Sequence, residues 1–158
     1  MIFEIDEISE GGLSFDVLVN KEQLEIDHSD CTLTENVNVK GELSRIDKDV
    51  YLKGELYAVL KVTCTRCLNS FLFPVENKIQ AHYVPQMVEA SPGCEIEVKE
   101  LDIEKEVYQE GRIDLRNPLR DQILLDVPLI SLCNKNCKGI CFKCGNDLNL
   151  NKCKCQND

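Results

Sequence analysis

Hydrophobic and polar residues alternate over most of the first 84 positions, with the period of two that is typical of half-buried β-strands. Residues 2–8 predict a first short strand, which Gly11 and Gly12 interrupt. Residues 13–19 alternate again and predict a second strand. The start of the chain is therefore expected to be rich in β-structure.

The clearest alternation lies in the next part of the chain, where three consecutive runs keep their apolar residues on one face. The runs cover residues 37–43, 50–62 and 71–83. Their short connections imply an antiparallel meander, and Pro74 suggests that the third strand has an edge or a bulge near its start. Such a sheet has one apolar face, which the first strands or a helix must cover.

One short helix is predicted after the sheet. Asn117 and Pro118 supply an N-cap and a first helical residue, and apolar residues then recur at helical spacing as far as Asp126. Pro128 should end this helix of about nine residues, because proline disfavours helical angles in the residue before it. We expect the helix to pack on the apolar face of the sheet.

Composition places the chain in a general class. With 158 residues, 43% hydrophobic and 29% charged, it has the balance of a soluble globular protein, and no apolar run approaches the roughly 20 residues of a membrane span. The start lacks the basic region and apolar block of a secretory signal, which predicts a cytoplasmic location. Because cytoplasmic thiols are kept reduced, the ten cysteines favour metal ligation over a disulfide framework.

The net charge is unevenly distributed. The total of -10 argues against a protein that coats nucleic acid with its whole surface. From Cys133 onward, however, the sequence has five lysines and only two acidic residues, Asp147 and Asp158. This gives the tail a local charge of +3 and leaves -13 for the preceding residues. The segment near 89–110 is especially acidic and is interpreted as a solvated face, with a protein-docking surface as the alternative.

The last 26 residues carry six of the ten cysteines and indicate a metal site. Two closely spaced pairs, Cys141 with Cys144 and Cys153 with Cys155, can surround one tetrahedral ion. The polar residues between the pairs cannot be held by a core, so the metal should supply folding energy on the order of 10 kcal/mol. We expect zinc, with an iron-sulfur cluster as the main competitor. Four cysteines leave no open coordination position, which favours a structural metal.

The tail contains two further cysteines, Cys133 and Cys137, and three arrangements remain open for them. They can replace members of the first four, share a binuclear cluster with them, or join Cys64 and Cys67 in a second four-thiolate site. One tail site is favoured over two. For Cys64 and Cys67, packing in a tight turn is an equally good interpretation, and a redox role is weaker because the pair lies between strands.

Together these features predict an α+β protein with two parts. Residues 1–130 should form an antiparallel β-sheet body with a short covering helix, and residues 131–158 a small cysteine-rich, zinc-ribbon-like tail. No phosphate loop, Ser/His/Asp set or zinc motif with a water-activating glutamate is present, so the residues do not indicate an enzyme. Cys31 and Cys94 are interpreted as ordinary small residues, and His28 and His82 as surface or sheet residues. Surface ion pairs are the favoured interpretation of three arginines, with a phosphate-contacting group as the alternative: Arg112, Arg116 and Arg120.

Three blocks of this sequence occur in a characteristic order. They are Cys64-Thr-Arg-Cys67-Leu68 followed by Phe71 and Pro74, the helix with Leu125-Asp-Val-Pro128, and the tail from Leu132-Cys133 through Cys137-Lys-Gly-Ile-Cys141-Phe-Lys-Cys144-Gly145-Asn-Asp-Leu148-Asn149 to Cys153-Lys-Cys155. Together these blocks resemble the YceD family of bacterial proteins, which are linked to accumulation of large-subunit ribosomal RNA. The family pattern usually has Asp and Pro where this chain has Asn136 and Phe142, and neither difference touches a thiol.

The resemblance implies a non-enzymatic, cytoplasmic ribosome-biogenesis factor that supports 23S rRNA maturation or accumulation. Its partner would be ribosomal RNA or a pre-50S particle, and its oligomeric state is not predicted. An alternative is an acidic docking module for a basic large-subunit ribosomal protein, and a third is a thiol oxidoreductase using Cys64 and Cys67. A basic zinc knuckle suits RNA contact, and the residues that would provide phosphate contacts and stacking are Lys138, Lys143, Lys152, Lys154 and Phe142.

Overall fold

The computed structural model describes residues 1–28, 30–86 and 105–150 together with Cys153 and Cys155. The side chain of His28 lies outside the described residues, as do Cys94, Lys152, Lys154 and most of the acidic segment near 89–110. The elements in chain order are β1 (Ile2–Glu4), a 3-10 turn (Ile5–Glu7), β2 (Leu13–Val19), a 3-10 turn (Lys21–Gln23), β3 (Asp27–His28), β4 (Cys31–Leu33), β5 (Val37–Ile46), β6 (Asp49–Thr63), β7 (Ser70–Pro85), β8 (Lys105–Tyr108), β9 (Arg112–Asp114) and α1 (Arg116–Leu125).

The three long runs of alternating residues form the centre of the main sheet. Strands β5, β6 and β7 are consecutive antiparallel neighbours, which confirms the predicted meander. Strand β6 also pairs with β4, β5 pairs with β2, and β3 pairs with β4, so the described strands build a seven-stranded sheet once β8 is included. Pro74 lies where β7 pairs only with β6 among the described strands, so it stands on an open edge as predicted.

The apolar face of this sheet is covered from both ends of the chain. Leu119 and Ile123 of α1 are fully buried in the same core as the inward residues of β5, β6 and β7. Ile5 and Ile8, which follow the first strand, are also buried in this core. The helix and the N-terminal segment therefore supply the cover that the sequence requires, and their apolar burial is the main stabilising contribution to the body.

The helix begins two residues earlier than the sequence predicts, and Asn117 is not its N-cap. The N-cap is Leu115, which is fully buried and has no capping side chain. Asp114 takes this role from one position further out, because its carboxylate accepts a hydrogen bond of 3.0 Å from the Arg116 backbone N–H. Burial of Leu115 fixes where the chain turns, and Pro118 still lies in the first turn, where an amide donor is not required.

Two further expectations need correction. The sheet is not purely antiparallel, since β8 pairs parallel to β7. Parallel neighbours need a long connection, and the residues between the two strands are numerous enough to provide one. The first strand ends at Glu4 instead of Ile8, because the chain enters a 3-10 turn that buries Ile5.

Ion pairs account for the basic residues around the helix. This confirms the surface interpretation of the three arginines, and His82 is likewise a sheet residue that stacks on Tyr51 and contacts Asp49. No helix within the described ranges is long and apolar enough to cross a membrane. The arginine pairs are Arg112 with Glu4 at 2.9 Å, Arg116 with Asp114, and Arg120 with Asp121 at 3.7 Å.

Candidate metal centres

Four cysteines meet where the β6–β7 connection contacts the start of the tail, and we name them the corner quartet. Cys64 and Cys67 come from the connection, and Cys133 and Cys137 come from the tail. The sulfur atoms of Cys64 and Cys137 are 3.8 Å apart, and those of Cys67 and Cys133 are 3.6 Å apart. Cys64, Cys67 and Cys137 are buried in a small cluster of their own, separate from the main core. All four sulfurs lie within 4.8 Å of one another, so they could hold one metal ion.

A second group of four cysteines, the distal quartet, lies further along the tail. Its members are Cys141, Cys144, Cys153 and Cys155, whose sulfurs also lie within 4.8 Å of one another. The sulfur of Cys153 is 3.3 Å from that of Cys141 and 3.4 Å from that of Cys144. Cys144 and Cys155 are exposed, whereas Cys133 is the one exposed member of the corner quartet. This group too could hold one metal ion.

The C-x2-C turns of the two quartets have the same backbone structure. In the corner, the Cys64 amide donates to the Asn69 carbonyl and the Leu68 amide donates to the Cys64 carbonyl, each at 2.9 Å. In the distal turn, the Cys141 amide donates to the Asn146 carbonyl and the Gly145 amide to the Cys141 carbonyl, each at 2.8 Å. The fifth residue of both turns has a positive φ, 61° at Leu68 and 72° at Gly145.

In both turns backbone amides point at the first cysteine. Burial favours the neutral thiol of Cys64, but the amides of Cys133, Cys67 and Arg66 outweigh it and lower the pKa of Cys64 to about 6. The amide of Cys144, the Cys153 thiol and the amide of Lys143 likewise lower the pKa of Cys141 to about 6. The first cysteine of each turn therefore favours the thiolate form, which is the form that binds a metal ion.

Backbone hydrogen bonds hold the tail against the corner. The Thr65 amide donates to the Ser131 carbonyl at 2.8 Å, and the Ile140 amide donates to the Arg66 carbonyl at 3.2 Å. The Arg66 guanidinium donates to the Cys137 carbonyl at 3.0 Å. These contacts bridge the sheet and the tail on both sides of the corner quartet.

Asparagine and aspartate side chains connect the two quartets. The Asn149 amide donates to the Cys137 sulfur at 3.4 Å and accepts from the Lys138 backbone N–H at 2.8 Å. The Asn69 side chain donates to the Asp147 carboxylate at 2.6 Å. The sequence pattern does not identify Asn69, Asp147 or Asn149, because the polar residues after Gly145 indicate only a stretch that a core cannot hold. Asn and Asp side chains commonly form such local hydrogen bonds.

The sulfur positions restrict the chemistry. Zinc–sulfur bonds of about 2.3 Å place the corners of a tetrahedron about 3.8 Å apart, close to the spacing observed. An iron-sulfur cluster places several atoms between its thiolates, which would spread four sulfurs further than the 4.8 Å found here. Cys64 and Cys67 are only 0% and 4% exposed, so a substrate disulfide has little access to the pair that a redox function would use.

Two of the predicted RNA-contacting residues, Phe142 and Lys143, lie on the exposed side of the distal turn. Phe142 is 91% exposed, and Lys143 approaches its ring with the ammonium nitrogen 6.0 Å from the centroid. Lys138 is also exposed, between the two quartets in sequence. Lys152 and Lys154 belong to the residues that the structure does not describe.

Comparison with known proteins assigns the family. A family model described as "Large ribosomal RNA subunit accumulation protein YceD" matches residues 52–158, which contain every cysteine of both quartets. The chain belongs to the YceD family. The family name links YceD proteins to accumulation of large-subunit ribosomal RNA. This confirms the resemblance found in the sequence.

Several curated proteins are similar to parts of this YceD chain. The chloroplastic YCED homolog 1 of Arabidopsis thaliana is 39% identical over 59 residues, 37% of this chain and 15% of that protein, and the Zea mays homolog 1 is 44% identical over 48 residues, 30% of this chain and 16% of that protein. An uncharacterized protein of Mycobacterium leprae is 23% identical over 112 residues, 71% of this chain and 49% of that protein. The chain thus spans half or less of these relatives. No solved structure gave a significant match.

The arrangement of thiols corresponds to the third alternative left open by the sequence. Cys133 and Cys137 lie with Cys64 and Cys67, and the distal four stand apart as a second group. The contact that this alternative needs is present, so the geometry favours two quartets over the single tail site that the sequence favours.

Proposed function

We propose that this YceD protein is a non-enzymatic factor that supports 23S rRNA maturation or accumulation in the cytoplasm. The family assignment supports the link to large-subunit ribosomal RNA. The observation that carries the non-enzymatic part is the closed donor set of the distal quartet, whose four thiolates would fill the coordination shell of one ion. A zinc ion held there would order the tail and leave no position for a substrate.

We propose further that the distal turn contacts RNA. It presents an exposed aromatic ring, Phe142, beside exposed Lys143, with Lys138 nearby in sequence. Unpaired bases stack on such rings, and lysines pair with phosphates. The tail is also the part of the chain with a positive charge, +3 from Cys133 onward against -13 before it. Single-stranded or looped rRNA on a pre-50S particle is the partner that fits these groups.

The test is salt-dependent binding of the zinc-loaded full chain to large-subunit rRNA. Alanine at Lys138, Lys143, Lys152 and Lys154 should weaken binding and flatten its salt dependence, by about 0.7 of a slope unit for each phosphate that is no longer neutralised. The matched control changes four exposed lysines on the outer face of the sheet to alanine and so removes the same charge. The control lysines are Lys40, Lys53, Lys61 and Lys78.

The outcome separates this proposal from its alternative. Loss of RNA binding with the tail variant, and retention with the sheet variant, is the expected result. If both variants bind equally well, the tail does not contact the RNA. In that case the charge of -13 outside the tail supports the second candidate, an acidic surface that docks a basic large-subunit ribosomal protein. Capture of such a protein by the wild-type chain, abolished at high salt, would then identify it.

A further inference from the structure

The corner quartet has the geometry of a metal site in its own right. Two sulfur–sulfur distances, 3.8 Å and 3.6 Å, each join one cysteine of the β6–β7 connection to one of the tail. Disulfides need about 2.05 Å, and the tetrahedral edge of a zinc–thiolate site is about 3.8 Å. The spacing therefore suits one ion between the sulfurs, with two ligands from each side.

The turn that carries Cys64 and Cys67 provides an independent argument. It repeats the hydrogen bonds of the Cys141–Cys144 turn, in which a metal is expected from the sequence pattern alone. It also places Leu68, a bulky residue, at a φ of 61°, where glycine stands in the distal turn. A left-handed conformation costs a non-glycine residue about 1–2 kcal/mol, and packing of two small thiols alone gives no reason to retain it.

The surroundings of the corner quartet are those of a closed site. Three of its cysteines are nearly inaccessible, with exposures of 0%, 4% and 3% for Cys64, Cys67 and Cys137. The Asn149 side chain donates to the Cys137 sulfur, which is the outer contact that orients a thiolate ligand. In the distal quartet, by comparison, Cys144 and Cys155 are exposed to solvent.

We propose that Cys64, Cys67, Cys133 and Cys137 bind a second zinc ion, which fastens the tail to the β6–β7 corner and exchanges more slowly than the ion of the distal quartet. Each ligand that is still a protonated thiol releases its proton on binding, so the site forms with loss of protons and without a redox change. The slow exchange follows from burial, because an incoming chelator must reach the ion before it can replace a thiolate. This inference goes beyond the proposed function and does not depend on RNA contact.

The experiment measures zinc in the reduced, anaerobically purified full chain. Wild type should hold two zinc ions, released to a chelator in two phases, the slower by at least about tenfold. Cys133→Ser should hold one and lack the slow phase, and Cys155→Ser should hold one and lack the fast phase. Cys133 is the exposed member of the corner quartet, so its substitution is the one least disruptive to packing. Cys31→Ala, a buried cysteine outside both quartets, is the matched control and should keep both ions.

Three results would overturn the proposal. A single zinc in wild type would leave no ion for the corner. Two ions retained in Cys133→Ser would place the second ion elsewhere. Loss of both ions from either variant would indicate a shared cluster in the tail. If Cys133→Ser does not keep the circular dichroism of the sheet, the wild-type count and its release phases decide: two ions in two phases support the proposal, and any other result contradicts it.

Discussion

The two cysteine quartets share one type of turn but differ in where their other two sulfurs come from. Each begins with a C-x2-C turn closed by the same pair of backbone hydrogen bonds. The corner turn completes its four sulfurs with cysteines more than 60 positions away in the chain, whereas the distal turn completes them within 14 residues. A long-range site constrains two elements relative to each other, and a local site orders one loop. The corner quartet is thus suited to attaching the tail to the sheet, and the distal turn is suited to presenting exposed side chains to a partner.

Burial reinforces this difference. Three of the corner thiols, those of Cys64, Cys67 and Cys137, pack with Phe71 and Leu132 in a small cluster apart from the main core. The distal turn leaves Phe142 and Leu150 largely exposed. An exposed aromatic ring beside a lysine serves recognition better than stability. Four sets of substitutions test whether the two regions differ in this way.

The largest expected effect comes from removing a corner thiol. Cys64→Ser should lower the free energy of unfolding by about 4 kcal/mol, because it removes a metal ligand and leaves a hydroxyl in a fully buried position. Cys144→Ser, in the exposed distal turn, should cost the body less than about 1 kcal/mol, since the damage stays local. Urea unfolding followed by circular dichroism measures both. Equal losses would remove the distinction between the quartets.

The next largest expected effect is on RNA binding by the exposed side chains of the distal turn. Phe142→Ala should weaken binding to single-stranded RNA by about 1–3 kcal/mol, the usual loss when a stacking ring is removed. Leu68→Ala is its control, because Leu68 is an exposed apolar residue of the corner turn, 62% accessible. Fluorescence anisotropy with a labelled RNA should show little change for this control. A comparable loss in both variants would mean that the corner also contacts RNA.

Substitutions of two tail glycines compare the cost of backbone strain alone with the cost of strain plus a steric contact. A Cβ at Gly139 would lie 3.0 Å from the Arg66 carbonyl oxygen, whereas a Cβ at Gly145 would meet nothing within 4 Å, although both have positive φ. Gly145→Ala should therefore cost only the conformational term, about 1 kcal/mol, and Gly139→Ala about 2 kcal/mol. Thermal melting of the zinc-loaded variants compares them. If the order is reversed, the tail does not rest on Arg66 as described.

The smallest expected effect is a gain in folding stability. Leu68→Gly should stabilise the corner by about 0.5 kcal/mol, since relief of the left-handed strain slightly exceeds the added entropy of the unfolded chain. The melting temperature of this variant provides the measurement. A loss of stability instead would show that the Leu68 side chain makes a stabilising contact despite its exposure.

The parts of this architecture that depend on neighbouring residues could be predicted from the sequence. The three long strands follow from a period of two sustained over many residues, and the distal quartet follows from two cysteine pairs close in sequence. The corner quartet depends on a contact between residues near 64 and near 133, and the parallel pairing of β8 with β7 also joins distant residues. No local pattern specifies such contacts.

The helix start illustrates the same limit on a smaller scale. Asn117 followed by proline satisfies the local rules for an N-terminus, yet the buried Leu115 places the start earlier. Tertiary burial outweighs a capping preference worth about 1 kcal/mol. The hydrogen bond from Asn149 to Cys137 was missed for a similar reason, since it depends on the folded tail and no local pattern specifies it.

The central claim is that the corner metal fastens the tail, and amide hydrogen exchange tests it most directly. In zinc-loaded wild type, the amides of Thr65 and Ile140 should be protected by their bonds to Ser131 and Arg66 across the corner. Cys133→Ser should remove this protection, whereas Cys155→Ser should speed exchange only within the distal turn, at amides such as Cys141 and Gly145. Protection of Thr65 and Ile140 that survives Cys133→Ser would contradict the account.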